Sequence, residues 1–253
     1  MPAHPISVSP AAVARVLGAA VCFLALAHIG VMLAKYVAGY PTLYGLVPLF
    51  DLNSEQSMPT YFGASLHLAA SALLAVIAML KKRSGGAYAA QWTILAIGFL
   101  FMAFDEAAGL HELMGRPMEE LLGRHATGLF HFAWVIPGMI IVLALAVWFL
   151  KFLLHLPPQT RWLFLTAGAL FVGGAVGVEL FEGRHVALHG AENLTFAAYV
   201  LVEETLEMSG IVLFIYALLR YIAGQYREVH FRLGEAEERA AAATSQRDRA
   251  SAH

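Results

Sequence analysis

Six long apolar segments constrain this chain more than any other feature of its sequence. They lie at about residues 13–35, 61–80, 90–112, 129–151, 162–182 and 196–222. Each is close to the roughly 20 apolar residues that a helix needs to cross a bilayer. The chain is 59% hydrophobic and 13% charged, whereas a soluble domain carries about 25% charged residues. The sequence therefore predicts an all-α, polytopic membrane helix bundle with six transmembrane helices.

Composition divides the chain into an apolar and a polar part. Residues 1–224 form the predicted six-helix transmembrane domain, and residues 225–253 form a predicted polar cytoplasmic tail. Ala25-Leu26-Ala27 imitates a signal-peptide cleavage site, but apolar residues continue beyond it, which favours a retained first helix. The single cysteine, Cys22, excludes an internal disulfide. The net charge of −2 gives no footprint for nucleic acid.

The lysines and arginines are distributed unequally between the two sides of the predicted bundle. If the N-terminus is cytoplasmic, the cytoplasmic side receives twelve of the 16: Arg15, Lys81, Lys82, Arg83, Lys151, Arg161, Arg220, Arg227, Arg232, Arg239, Arg247 and Arg249. The outer side receives the other four, Lys35, Arg116, Arg124 and Arg184. Because Lys and Arg concentrate in cytoplasmic loops, we predict that both termini are cytoplasmic.

Acidic residues and histidines gather in the segments that this orientation places in the outer half of the membrane. The third segment ends in Asp105-Glu106-x4-His111-Glu112, the fifth ends in Glu179-x2-Glu182-x2-His185, and the sixth begins near Glu203-Glu204-x2-Glu207. Charged side chains inside a bilayer are costly and usually functional. We therefore predict that these residues border one site.

The spacing of these residues places pairs of them on single helical faces. The pairs are Asp105 with Glu112, Glu203 with Glu207, and Glu182 with His185. The last pair has the E-x-x-H spacing that directs a carboxylate and an imidazole at one ion. That reading requires the helix to continue through Gly183.

So many neighbouring carboxylates repel one another unless something compensates their charge. A metal, shared protons or Arg184 could do so, but one arginine cannot serve them all. Carboxylates with imidazoles and no cysteine favour iron, manganese or zinc. The predicted ligands of this divalent transition metal are Asp105, His111, Glu112, Glu182, His185, Glu203 and Glu207, and the candidate catalytic carboxylates are Glu106 and Glu204.

The function that this site predicts is that of a metal-dependent membrane enzyme, a hydrolase or a non-haem oxidoreductase. Its expected partners are membrane lipid and an apolar or lipid-like substrate. One alternative is a proton- or cation-coupled transporter or channel, which the apolar inner halves of the segments disfavour. Another is a haem protein that uses two of His28, His67, His131 and His185 as axial ligands. A structural subunit without chemistry is the fourth reading.

Two of these segments also carry a resemblance. Asp105-Glu106-x4-His111-Glu112 and Glu203-Glu204-x2-Glu207-Met208-x-Gly210 resemble the signature of an uncharacterised family of bacterial multi-pass membrane proteins. The resemblance covers the third to sixth apolar segments, roughly half of the chain. It implies a location in the bacterial inner (cytoplasmic) membrane and carries no known activity.

Overall fold

A computed structural model describes residues 7–123 and 128–226, and within these residues the regular structure is helical. The α-helices are α1 Pro10–Tyr36, α2 Leu46–Phe50, α3 Met58–Arg83, α4 Ala89–Ala108, α5 Gly115–Leu122, α6 Val135–His155, α7 Pro158–Val172, α8 Glu179–His189 and α9 Leu194–Gln225. A π-helical segment, Gly173–Val178, joins α7 to α8. Packing divides the chain into two units, residues 1–221 and residues 222–253. The core and the candidate site described in the following paragraphs lie in the first unit.

Six helical spans in the described residues are long and apolar enough to cross a membrane. They are Pro10–Tyr36, Met58–Arg83, Ala89–Ala108, Val135–His155, Pro158–His189 and Leu194–Gln225. Many large apolar side chains, such as Val147 and Trp162, are exposed on their surfaces. Such side chains suit a lipid environment better than water. The prediction of an all-α membrane bundle with six spans is confirmed.

Two predicted helix boundaries are wrong. The third span ends at Ala108 rather than at 112, because Gly109 has a φ of 57° and its N–H bonds to the carbonyl of Asp105. A left-handed glycine of this kind commonly ends a helix. The chain then forms a 3₁₀ turn, Leu110–Met114, so Asp105 and Glu112 do not share one α-helical face. The fourth span begins at Val135 rather than at 129.

Aromatic side chains fill the end of the bundle where α4 begins and α9 ends. The ring of Trp92 on α4 is almost fully buried. Its centroid lies 5.0 Å from that of Phe152, 6.0 Å from Phe164 and 5.0 Å from Tyr221. These contacts join α4, α6, α7 and α9 in a core of aromatic rings.

The opposite end of the bundle is formed by the end of α1, the start of α3, the end of α4, the end of α8 and the start of α9. We call it the acidic end. His28 ties α1 to α9 here, because its Nε2 donates to the carbonyl of Ala197 at 3.2 Å. Its Nδ1 accepts from the N–H of Leu52 at 3.1 Å. Both ring nitrogens are thus used in the structure, which removes His28 from the haem reading.

The Lys35–Glu192 ion pair, with a nitrogen–oxygen distance of 3.1 Å, links the end of α1 to the loop between α8 and α9. The hydrogen bond and charge of Lys35 hold the pKa of the Glu192 carboxyl below its ordinary value. Because Glu192 is largely exposed, solvent screens this pair and its contribution to stability is small.

Candidate functional site

Six glutamates from three helices form a group at the acidic end that we call the carboxylate cluster. Its members are Glu106 of α4, Glu179 and Glu182 of α8, and Glu203, Glu204 and Glu207 of α9. Each of the three α9 glutamates interacts electrostatically with both glutamates of α8. Glu204 and Glu207 also interact with Glu106. The cluster therefore joins α4, α8 and α9 through like charges.

Close approach of two helices at Gly174 brings the α9 glutamates to this position. A Cβ atom on Gly174 would lie 2.7 Å from the carbonyl oxygen of Glu203 and 2.8 Å from Cγ of Glu207. Only a residue without a side chain allows this contact. Gly173 and Gly177, which form the small-x3-small pair of the sequence, face open space instead. The glycine that matters for packing is the one between them.

Glycine also makes room for Glu106. A Cβ atom on Gly63 of α3 would overlap the carboxylate of Glu106. The side chain of Glu106 thus lies across the surface of α3 and is partly buried. The α3–α4 hairpin that carries it is closed further along by a hydrogen bond of 2.7 Å from the hydroxyl of Ser71 to the carbonyl of Ala96.

The carboxyl groups of Glu182 and Glu203 are neighbours that interact with each other. Glu182 is only 4% exposed. Its Oε1 atom is buried and has no hydrogen-bond partner in the described part of the chain. Two carboxyl groups can approach in this way only if one carries a proton or if a cation lies between them.

No lysine or arginine whose side chain the structure describes forms an ion pair with Glu106, Glu182, Glu203, Glu204 or Glu207. The side chain of Arg116 falls outside the described part of the chain. Arg184, which the sequence offers as one possible partner, has an exposed side chain. Among the described groups, protons or a bound cation are therefore the candidates for the compensating charge.

Asp105 and His111 form a separate pair beside the cluster. The Oδ1 atom of Asp105 accepts the backbone N–H of His111 at 2.7 Å, and its Oδ2 accepts from Nδ1 of the imidazole at 3.0 Å. Asp105 therefore closes the turn that follows Gly109 and orients the ring of His111. Both of its oxygens are engaged by His111, while its charge interacts with that of Glu106, so the Asp105–His111 pair borders the cluster.

Trp134, at the start of α6, connects this pair to the cluster. Its ring centroid lies 4.6 Å from that of His111. Its Nε1 donates to Oε1 of Glu179 at 2.6 Å. The indole thus fixes one carboxylate of α8 and covers the imidazole of the Asp105–His111 pair.

His185 contacts Asn193 rather than the carboxylate cluster. The helix α8 does continue through Gly183, as the E-x-x-H reading requires. However, Nε2 of His185 donates to Oδ1 of Asn193 at 2.9 Å, and the same Oδ1 accepts the N–H of Phe196 at the start of α9. Its ring also stacks on that of His189, with centroids 4.9 Å apart. The described contacts of His185 do not include a glutamate of the cluster.

Of the predicted site residues, the structure brings together Glu106, Glu182, Glu203, Glu204 and Glu207. Asp105 and His111 lie beside them as a pair, and His185 lies apart. The side chain of Glu112 falls outside the described residues. Glu179 belongs to the cluster but was not among the predicted ligands, although its E-x2-E spacing to Glu182 was the signal that could have found it.

The described side chains are not arranged as a closed metal site. No group of three or more His, Cys, Asp or Glu residues in the described ranges is positioned to hold a metal ion. The site is thus a set of neighbouring carboxylates rather than a finished coordination shell, and the predicted ligand set stays a prediction.

An apolar groove of about 500 Å³ runs between α1 and α9. Its walls are Ala11, Ala14, Gly18, Val21, Cys22 and Ala25 of α1 and Thr205, Ser209, Val212, Leu213 and Tyr216 of α9. Because Thr205 directly follows Glu204, the groove begins at the depth of the carboxylate cluster. The buried hydroxyl of Thr205 has no hydrogen-bond partner among the described residues.

Comparison with known proteins places the chain in a family. No curated protein and no solved structure matches it. The family model described as "Domain of unknown function (DUF8692)" matches residues 10–222. This match runs from the first residue of α1 into the last turn of α9, and so covers the six spans and the cluster. The chain therefore belongs to the DUF8692 family of domains of unknown function.

Proposed function

We propose that this protein is a metal-dependent membrane enzyme, whose carboxylate cluster binds a divalent transition metal such as iron, manganese or zinc. The observation that carries the proposal is the set of five glutamates that form no ion pair with any lysine or arginine whose side chain the structure describes. An uncompensated buried charge costs about 3–5 kcal/mol. A divalent cation would compensate two of these charges at once.

A second feature supports a bound cation rather than a purely structural network of carboxyl groups. Oε1 of Glu182 is buried without a hydrogen-bond partner among the described residues. Buried polar atoms of this kind are rare in folded proteins. Carboxylate oxygens are suitable ligands for a cation such as manganese or iron. We propose Glu182, Glu203 and Glu207 as its ligands, because their charges interact where α8 and α9 are in contact. Binding would draw these side chains closer together than they lie in the structure.

A bound metal would polarise a substrate oxygen or activate a water, and so would serve hydrolysis or oxidation. Glu106 and Glu204 would then accept or return protons from neighbouring positions, because both interact electrostatically with the cluster. Trp134 would hold Glu179 in place through its 2.6 Å hydrogen bond.

The groove between α1 and α9 supports an apolar or lipid-like substrate. Its walls are mostly small and aliphatic, and such surfaces bind hydrocarbon chains without loss of hydrogen bonds. One end of the groove lies at Thr205, the residue after Glu204 and thus at the depth of the cluster. A substrate chain in the groove would therefore place its polar end near the proposed metal. Membrane lipid is the partner that this arrangement favours.

We also propose the cellular setting from the charges. Lys81, Lys82 and Arg83 follow one another at the end of α3 that is remote from the acidic end. By the rule for Lys and Arg, that end would face the cytoplasm and the acidic end would face outward, in the inner membrane of a bacterium. Reporter fusions after Lys82 and near Glu192 test this, with cytoplasmic activity expected only for the first.

Proton transfer is a second candidate function for the same cluster. The interaction between Glu182 and Glu203 favours it, because a single proton shared between two neighbouring carboxyl groups would remove their repulsion. A proton-coupled transporter would then use the cluster as its proton site. Infrared difference spectra distinguish the two, because only a proton site shows a protonated carboxyl band that vanishes in Glu203→Gln.

Elemental analysis with an optical spectrum of the protein purified in mild detergent tests the first proposal. We expect a bound transition metal in the wild type and a loss of at least tenfold in Glu207→Gln. The control is Glu55→Gln, which changes an exposed glutamate of the loop before α3 and should leave the metal content unchanged. A metal content equal in wild type and Glu207→Gln would discard the metal proposal.

A further inference from the structure

The connection between α1 and α3 does not stay at the level where α1 ends. The ring of Phe50 in α2 packs edge-on against that of Phe23 in α1, with centroids 6.0 Å apart. The N–H of Leu52 donates to Nδ1 of His28 at 3.1 Å. Since α1 ends at Tyr36, its rise of 1.5 Å per residue places His28 about 12 Å and Phe23 about 20 Å back along the helix. The connection therefore returns alongside α1 before α3 begins.

These positions along α1 correspond to the hydrocarbon of a bilayer. Lys35 and Tyr36, a charged and an amphipathic residue, are of the kind that lies at the boundary between membrane and water. The hydrocarbon is about 30 Å thick, so contacts about 12–20 Å beyond that boundary lie within it. Residues 37–50 contain no Asp, Glu, Lys, Arg or His. Their composition therefore permits them to enter the hydrocarbon.

The backbone after α2 is hydrogen-bonded as a lipid environment requires. Irregular backbone at membrane depth has to find its hydrogen-bond partners within the protein. Besides the bond to His28, the N–H of Asn53 donates to Oδ1 of Asp51 at 3.0 Å, and the N–H of Ser54 donates to the carbonyl of Asp51 at 3.2 Å. The carbonyl of Ser54 accepts the hydroxyl of Thr60 at 2.7 Å. These turns thus satisfy their N–H groups without water.

One face of the connection packs on the bundle, and the other face is open. On the packed face, Val47 is buried with Val31 and Met32 of α1 and with Ala197 of α9. The exposed side chains of the open face are Tyr40, Tyr44, Leu46 and Leu49. The open face continues the exposed apolar surface of α1, to which Phe23, Leu26 and Leu33 belong. Because that surface suits lipid, its continuation suits lipid as well.

We infer that residues 40–52 form a re-entrant membrane segment, whose exposed leucines contact the acyl chains of the leaflet at the acidic end. The inference goes beyond the proposed function, because it requires neither a metal nor a substrate. It also gives a reason for the buried His28, whose Nδ1 holds the returning chain at Leu52.

Spin labelling of the full chain in phosphatidylcholine bilayers tests the inference. A label on Leu49→Cys, in a Cys22→Ala background, is exposed to oxygen, which concentrates in hydrocarbon, and to a nickel chelate, which stays in water. We expect the ratio of the two collision rates to be at least about tenfold higher than for Glu55→Cys, because polar reagents are excluded from the hydrocarbon. It should match the ratio for Leu26→Cys, an exposed position of α1.

The other outcomes overturn the inference. A ratio equal to that of Glu55→Cys would make the connection an aqueous loop. Slow collisions with both reagents would show that protein, for example a second copy of the chain, covers this face. If Leu49→Cys does not fold, Leu46→Cys takes its place with the same expected ratio. Since none of these readouts involves a metal, their failure is independent of any failure of the metal proposal.

Discussion

Replacement of Gly174 by alanine tests how the bundle positions its glutamates. The new Cβ would lie 2.7 Å from the carbonyl oxygen of Glu203 and 2.8 Å from Cγ of Glu207, whereas ordinary contacts begin at 3.4 Å. One of these neighbours is backbone and cannot rotate away. To relieve this overlap, α9 would have to move away from the π-helical segment. Overpacking of this kind costs about 1–3 kcal/mol.

Gly173→Ala and Gly177→Ala are matched controls in the same segment. Both glycines have open space where a Cβ would stand. Each of the three substitutions replaces glycine by alanine and so raises the helix propensity by the same amount, up to about 1 kcal/mol. This gain cancels when the melting temperatures of the three variants are compared. At about 2–4 °C per kcal/mol for a chain of this size, the Gly174 variant should melt roughly 2–12 °C below the controls.

Thermal unfolding in detergent, followed by circular dichroism, measures this difference. The same preparations should show lower affinity for Mn²⁺ in Gly174→Ala, because Glu203 and Glu207 move with α9. Equal melting temperatures for the three variants would refute the claim that contact at Gly174 fixes the position of α9.

Three further predictions concern residues around the cluster. His28→Ala should lower the free energy of unfolding by about 1–3 kcal/mol for each buried group left unpaired, as measured by denaturant titration in detergent, and a loss under 0.5 kcal/mol would contradict this. Asp105→Ala should accelerate hydrogen exchange of the His111 amide, because in the wild type this N–H donates a hydrogen bond of 2.7 Å to Asp105. Unchanged exchange would show that the turn closes without the Asp105 carboxylate. Lys35→Ala should raise the pKa of Glu192 toward its ordinary value, as measured by carbon NMR. The pKa of Glu192 is lowered in the folded protein. The small stabilisation by the ion pair is therefore present above the ordinary carboxyl range and is lost as pH falls through the lowered pKa. If Glu192 titrates identically in the wild type and in Lys35→Ala, the ion pair is not the cause of the lowered pKa.

The membrane spans could be predicted from sequence because apolar length alone determines them. The ends of the spans were less certain, since a single backbone conformation decides them. Gly109 illustrates this point. Its left-handed φ ends α4 four residues early, so the seven-residue spacing between Asp105 and Glu112 no longer means a shared face.

The membership of the cluster was only partly predictable, because neighbouring residues of a helix point about 100° apart. Sequence reasoning chose Asp105 as the ligand and Glu106 as its neighbour, whereas the structure turns Asp105 to His111 and Glu106 to the cluster. The π-helical segment also changes the phase of α8 relative to α7. Counting residues at 3.6 per turn through that segment does not place Glu179 and Glu182.

The partners of the histidines depend on tertiary contacts that spacing does not contain. The E-x-x-H reading required a helix that continues through Gly183, and α8 provides it, but Asn193 from the following loop binds the ring of His185. The sequence offered His67 only as one of four possible haem ligands. Spacing could not show that its Nε2 atom is buried without a hydrogen-bond partner in the described part of the chain.

Isothermal titration of Mn²⁺ into the wild-type protein, in two buffers with different ionisation enthalpies, tests the central claim most directly. The claim is that a divalent cation compensates the charge of the carboxylate cluster, so the account predicts saturable binding together with the release of protons that the glutamates share beforehand. Both signals should be strongly reduced in Glu207→Gln and unchanged in Glu55→Gln. Absence of binding, or binding equal in wild type and Glu207→Gln, would contradict the account.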